Sequence, residues 1–273
     1  MHFIAPRWQI STAGATSAAT ASLSRPLFTR PSCRRQCWVW LLRARILALV
    51  ACGFGMGLVQ AADWRPPSNR VIEYDIEVSS KGFEVRGNGE LTWRQEAGRY
   101  EAKLMVSALV FFQRTQISQG ALSKDGLVPR SFEDQRKRVE AIRFSPELGL
   151  VTYDDGTQKA WPVDGQDRVS MLLELGRRAH LAQESGDHQI RLAVNDGKKW
   201  GTWQFTIRGS EMVSTGKGLL KAWRLERTDP ERGSQQATLW LAPELSWMPA
   251  KFSIKESNGD TAVQTLRSHK PIP

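Results

Sequence analysis

The sequence predicts an all-β protein, mainly antiparallel: a curved meander sheet, half-barrel or barrel-like, with one amphipathic helix packed on it. Three observations predict it. Apolar and polar residues alternate with a period of two along several runs, turn dipeptides recur between those runs, and a single stretch keeps a helical spacing instead.

The alternation is clearest at residues 71–78, where Ile72, Tyr74, Ile76 and Val78 interleave with Glu73, Asp75 and Glu77. Successive strand side chains point to opposite faces, so this run has one buried and one wet face. The same rhythm returns at residues 100–104, 203–208, 223–226 and 252–255. Between the runs stand Asn88-Gly89, Glu96-Ala97-Gly98, Asp125-Gly126, Asp155-Gly156, Asp164-Gly165, Asp196-Gly197 and Asn258-Gly259. Asn-Gly and Asp-Gly supply the positive φ that tight hairpins need. Such spacing implies roughly ten to thirteen strands, and a sheet of that size must curl or split.

Residues 167–181 break the pattern. Val169, Leu172, Leu173 and Gly176 fall on one helical stripe, Asp164 or Asp167 is placed to cap it, and Arg177 and Arg178 suit the negative end of its dipole. A lone amphipathic helix in a β chain buries its stripe against the sheet.

The start of the chain reads as an address. Residues 1–61 carry seven arginines and no acidic residue, and the apolar core at residues 46–59 is followed by Gln60, Ala61, Ala62 and Asp63. A basic region, a short apolar core and small residues at the cut form a secretory signal. Val59 and Ala61 place cleavage after Ala61, leaving one domain at residues 62–273. Three other readings stay open: lipidation at Cys52, which follows Leu49-Val50-Ala51; an uncleaved anchor; and a mitochondrial transit peptide. Membrane association belongs to the first two. Periplasmic export is the leading expectation.

Removing that segment also removes the excess charge. The whole chain has 38 Lys and Arg against 28 Asp and Glu; residues 62–273 keep 31 against 28, a net of +3. A nucleic-acid binder keeps its excess on the folded domain, so no nucleic-acid partner is expected. Cys33, Cys37 and Cys52 all precede residue 62, so the domain has neither disulfides nor thiolate metal ligands.

No catalytic constellation emerges. His180, His188 and His269 lack metal-ligand spacing, and there is no G-x-S-x-G elbow. Residues 214–218 lack the first glycine and the closing Ser or Thr of a phosphate loop and read as a hairpin. Neither metal nor cofactor is expected. Glu133, Asp134 and Glu140 alternate with Arg130, Arg136, Lys137 and Arg138, as on an edge strand or solvated face. Arg136, Lys137 and Arg138 are the candidate partner contacts. Leu109, Val110, Phe111 and Phe112 form a run without alternation, while Trp200, Trp240 and Trp247 stand near strand ends or out of phase. The candidate cavity lining is therefore Phe111, Phe112, Leu172, Leu173, Trp200 and Trp240.

Three segments taken together resemble a bacterial exported family known only as domain of unknown function 3108. They are Ser118-x-Gly120 followed by Gly126-Leu127-x-Pro129-x-x-Phe132-Glu133; Gln166-Asp167-x-x-Ser170; and Trp240-Leu241-Ala242-Pro243-Glu244 with Trp247-x-Pro249 leading into Lys251-Phe252. The resemblance covers residues 70–268. It implies export in a Gram-negative bacterium and brings no activity with it. A looser likeness in architecture is to half-barrels that hold acyl chains between a sheet and helices. The expectation is a non-enzymatic periplasmic protein that binds a lipid or other amphiphilic envelope molecule between sheet and helix. The alternative is an envelope assembly factor that binds a protein partner through a strand edge or the strip at residues 130–143.

Overall fold

A computed structural model describes residues 64–108, 112–195, 197–228 and 235–273. Cleavage after Ala61, lipidation at Cys52 and the lining residue Phe111 lie outside the described residues.

The strands are β1 (Arg70–Ser80), β2 (Phe83–Glu96), β3 (Arg99–Ala108), β4 (Phe112–Ser123), β5 (Gly126–Gln135), β6 (Val139–Ser145), β7 (Leu150–Tyr153) and β8 (Gln158–Ala160). After helix α1 (Ser170–Ser185) come β9 (Gln189–Asn195), β10 (Trp200–Thr215), β11 (Gly218–Arg227), β12 (Gln236–Ala242), β13 (Met248–Lys255) and β14 (Thr261–Pro271). All fourteen belong to one curved antiparallel sheet in which each strand neighbours the next in sequence, except β8 and β9, and β1 joins β14. The edges in space are thus β8 and β9, the two strands that flank α1 in the chain.

The predicted half-barrel with one helix is what forms. Apolar phases of the strands line the face that carries α1: Ile72, Leu91, Trp93, Phe132, Phe205, Leu225 and Leu239 are almost fully buried there with Val169, Leu172, Leu173 and Leu175 of the helix segment. Helix α1 packs on β5, β9 and β13. It is buried on more than a stripe, from Ser170 through Arg177. A helix enclosed by a curved sheet meets it on several sides, so the one-stripe reading was too narrow.

The segment before α1 bridges the seam between the edges at one point. Gln166 makes a parallel bridge with Val194, its N–H donating to Ala193 O and its carbonyl accepting from Asn195 N, both at 2.8 Å. Asn195 Nδ2 donates to the Tyr153 hydroxyl at 2.8 Å, and Lys159 Nζ to Lys198 O at 2.9 Å. Gln166 covers only the Ala193–Asn195 end of the β9 edge, and the opposite edge, β8, is three residues long, which leaves little template for sheet-to-sheet pairing there.

Several local readings change. Asn88-Gly89 is not a turn but the middle of β2, opposite Asp75 and Tyr74. A Cβ on Gly89 would lie 3.1 Å from Ile76 Cδ1, so this glycine serves close packing across the sheet. The first hairpin turns instead at Lys81 and Gly82. The stretch at residues 130–143 is not an edge strand: β5 and β6 are internal, and residues 136–138 are the bend between them. Arg177 and Arg178 sit mid-helix against Glu174 rather than at the dipole's negative end, and Gly186 in the left-handed region closes α1. Pro129 and Pro249 both lie at register shifts of their ladders, where a missing N–H is tolerated.

Candidate functional site

Two polar groups are built into the face that carries α1. The first holds the helix start. Asp167 O accepts the first helical bond from Met171 N, and the Asp167 carboxylate accepts from the N–H groups of Val169 and Ser170 at 2.8 Å. Ser170 Oγ accepts in return from Asp167 N at 3.0 Å, a reciprocal capping box. Of the two caps considered, Asp167 is used. Its other oxygen accepts from the Ser118 hydroxyl at 2.6 Å, and Ser118 Oγ lies 3.1 Å from the Tyr100 hydroxyl.

Burial pushes the Asp167 carboxyl up to about 6 against these bonds, and burial likewise raises Tyr100 well above its ordinary range. Ser118, Asp167 and Ser170 have no exposed surface. A serine, an aspartate and a tyrosine stand in hydrogen-bonded sequence, all three buried beneath the helix start. They fasten the helix.

One turn on, Glu174 accepts from Arg177 at 2.7 Å and from Arg178 at 2.8 Å, and its second oxygen accepts from Leu127 N at 3.3 Å. A Cβ on Gly126 would come within 2.6 Å of that oxygen, and Gly176 similarly lies directly against the Trp247 carbonyl. Gln166 Nε2 donates to Leu127 O at 2.9 Å. Residues of all three segments that carry the family likeness therefore meet around α1.

The second group lies on the same face, toward the end where β1–β2, β5–β6 and β13–β14 turn. Registers place Leu104, Gln116 and Asp134 in one row and Val106 opposite Arg114 in the next. Arg114 grips Asp134 with two bonds, Nε to Oδ1 at 2.8 Å and Nη2 to Oδ2 at 2.6 Å. Arg136 adds Nη2 to Oδ2 at 3.1 Å. Burial pushes Asp134 up, but the hydrogen bonds and charges of Arg114 and Arg136 outweigh it and hold the carboxyl below its usual range. Gln116 Nε2 is buried without a hydrogen-bond partner.

Around this group the apolar surface is only half covered. Val78, Leu104, Val106, Phe112, Phe252, Ile254 and Ala262 occupy the helix-bearing phases of their strands and are half-buried, whereas Ile72 and Tyr74, nearer the helix, are 0% and 2% exposed.

The residues singled out from sequence do not form one lining. Leu172 and Leu173 are core, at 5% and 3% exposure. Trp200 packs with Phe144 and Trp161 around Gly165 at the seam. Trp240 is on the opposite face, where its Nε1 donates to Glu211 and its ring lies under Arg224 and Lys251. Phe112 alone of these borders the half-covered surface. Arg136, Lys137 and Arg138 are exposed, with Arg136 tied to Asp134. Sequence reading missed Arg114 and Gln116. On β4 the helix-bearing phase reads Phe112, Arg114, Gln116, Ser118 and Gly120, so alternation points to the wrong face.

Among the described residues no group of three His, Cys, Asp or Glu could hold a metal ion, and no helix is long and apolar enough to cross a membrane. No curated protein matches the chain. A crystal structure of a beta-barrel-like protein of domain of unknown function DUF1849 from Brucella abortus superposes with a TM-score of 0.52 at 12% identity, covering 76% of this chain and 98% of that one. That likeness is one of fold. A DUF1329 family protein from Desulfovibrio piger aligns over 75% of this chain and 86% of its own at 9% identity, but its TM-score of 0.28 carries no argument. The family model for the protein of unknown function DUF3108 matches residues 73–267, and the chain belongs to that family.

Proposed function

We propose that this protein is a non-enzymatic exported protein that holds the acyl chain of an amphiphile on the half-covered end of its curved sheet. One observation carries the reading. The helix-bearing face is dry where α1 covers it and remains apolar but half-buried beyond, at Val106, Phe112, Phe252 and Ile254. Apolar surface of that kind gains about 25 cal/mol per Å² when a ligand removes it from water. The space between helix and sheet, by contrast, is filled by Leu172, Leu173 and their neighbours. Export rests on the basic and apolar layout of residues 34–61.

The test is native mass spectrometry of protein purified from the periplasm of an expressing bacterium, followed by organic extraction. A discrete co-purified lipid, lost on Phe112→Ala, supports the reading. A bare mass that persists after incubation with envelope lipids refutes it and favours a protein partner at the exposed bend of Arg136, Lys137 and Arg138.

A further inference from the structure

We infer that Arg114, Gln116 and Arg136 form the head-group site of this surface, and that they select a fatty-acid-type carboxylate. The inference rests on the amphiphile reading and names the ligand's charge and head.

Three nitrogens remain without a hydrogen bond after the internal bonds are made: Nη1 of Arg114, Nη1 of Arg136 and Nε2 of Gln116. Arg114 spends Nε and Nη2 on Asp134, and Arg136 spends Nε and Nη2 on the same carboxylate, which leaves one Nη1 on each. Gln116, directly opposite Asp134 in register, is 6% exposed and its Nε2 has no partner. A buried donor left unpaired is costly, so such a group in a folded protein calls for a ligand or a water. Two guanidinium groups and one carboxylate leave a net charge of +1, which a monoanion neutralises. A carboxylate presents two oxygens with about four acceptor sites, enough for one hydrogen bond from each of the three nitrogens.

Asp134 fixes the guanidinium planes and keeps the pair from repelling each other. Glu140 stands opposite Asp134 in register, but it is exposed and water screens it. Val106 lies opposite Arg114 and Phe112 precedes it by two residues on the same face, so an acyl chain leaving the head meets apolar side chains at once.

Equilibrium dialysis of the purified protein against dodecanoate, dodecan-1-ol and dodecyl phosphate tests this at neutral pH. The expected result is dodecanoate binding about ten-fold tighter than the alcohol. Gln116→Leu and Arg136→Gln should each weaken dodecanoate about five- to ten-fold and leave the alcohol unchanged. Gln116→Leu exchanges an unpaired amide for an apolar group of similar size, so its thermal transition should not fall, which separates head recognition from folding. Equal affinity for dodecanoate and the alcohol overturns the head-group site while the amphiphile reading stands. Tighter binding of dodecyl phosphate overturns the choice of carboxylate. Binding of none of the three overturns both readings.

Discussion

The Ser118 hydroxyl donates to the Asp167 carboxylate across 2.6 Å, joining the middle of β4 to the residue that caps α1 over 49 residues of chain. Both groups are fully buried, and the bond sits beside three others that satisfy the helix start and one that links Ser118 to Tyr100. The same carboxylate caps the helix and anchors it to the sheet. Its protonation is therefore coupled to folding.

Burial raises the folded-state pKa of Asp167 to about 6 from 3.8. Between those values the folded chain holds a proton that the unfolded chain has released. Stability should fall as pH rises from about 4 to about 6 and be level above, by about 3 kcal/mol in all. Asp134 behaves oppositely: its lowered pKa gives stability that is present above its unfolded value and lost only in stronger acid. Asp167→Asn keeps an oxygen for the Val169 and Ser170 N–H groups and removes the titration. Urea unfolding at pH 4, 5, 6 and 7.5 should show the variant gaining on wild type with rising pH. Parallel curves would refute the buried charge.

Gly176→Ala should destabilise the protein, against the direction of helix propensity. Alanine in a helix interior is better than glycine by about 1 kcal/mol. Here its Cβ would collide with the carbonyl oxygen of Trp247, a residue already held at a φ of 64°. Displacing that strained turn should cost about 2 kcal/mol net. A variant as stable as wild type would mean that α1 does not lie this close to the start of β13.

Leu173→Ala and Phe112→Ala should separate packing from binding. Leu173 is core, and truncating it should cost about 2–5 kcal/mol by denaturant midpoint. Phe112 is half-buried, so its truncation should cost about 1 kcal/mol while abolishing amphiphile uptake in a lipid-transfer assay. The reverse pattern would return the ligand to the helix–sheet interface.

Trp240→Phe should change stability by about 1 kcal/mol or less and leave ligand binding untouched. The ring lies on the face away from α1, among Glu211, Arg224 and Lys251. A loss of binding in this variant would contradict the assignment of faces.

Much of the fold was legible because its rules are local. Period-two runs at β1, β10 and β13 and glycines at Gly98, Gly156 and Gly259 each act within a few residues. The failures arise where a neighbouring strand or the helix-bearing face overrides the local signal. Asn88-Gly89 carries a turn signal, yet β2 needs Gly89 for its approach to Tyr74 and Ile76 on a neighbouring strand. On β4 the face toward α1 is largely polar, so hydrophobic alternation had nothing to report at Arg114 and Gln116.

The sequence by itself determined the class, a meander of antiparallel strands with a single capped helix, and the family likeness of its segments. Dihedral preference and side-chain alternation act over short stretches, and they suffice for that. Only the tertiary structure decided that β8 and β9 are the edges, that Ser118, Leu127, Asp167 and Trp247 meet around α1, and that Gln116 faces Asp134. Those relationships depend on how the sheet curves and where its register shifts. Both are set by packing between residues far apart in the chain, which no short stretch of sequence contains.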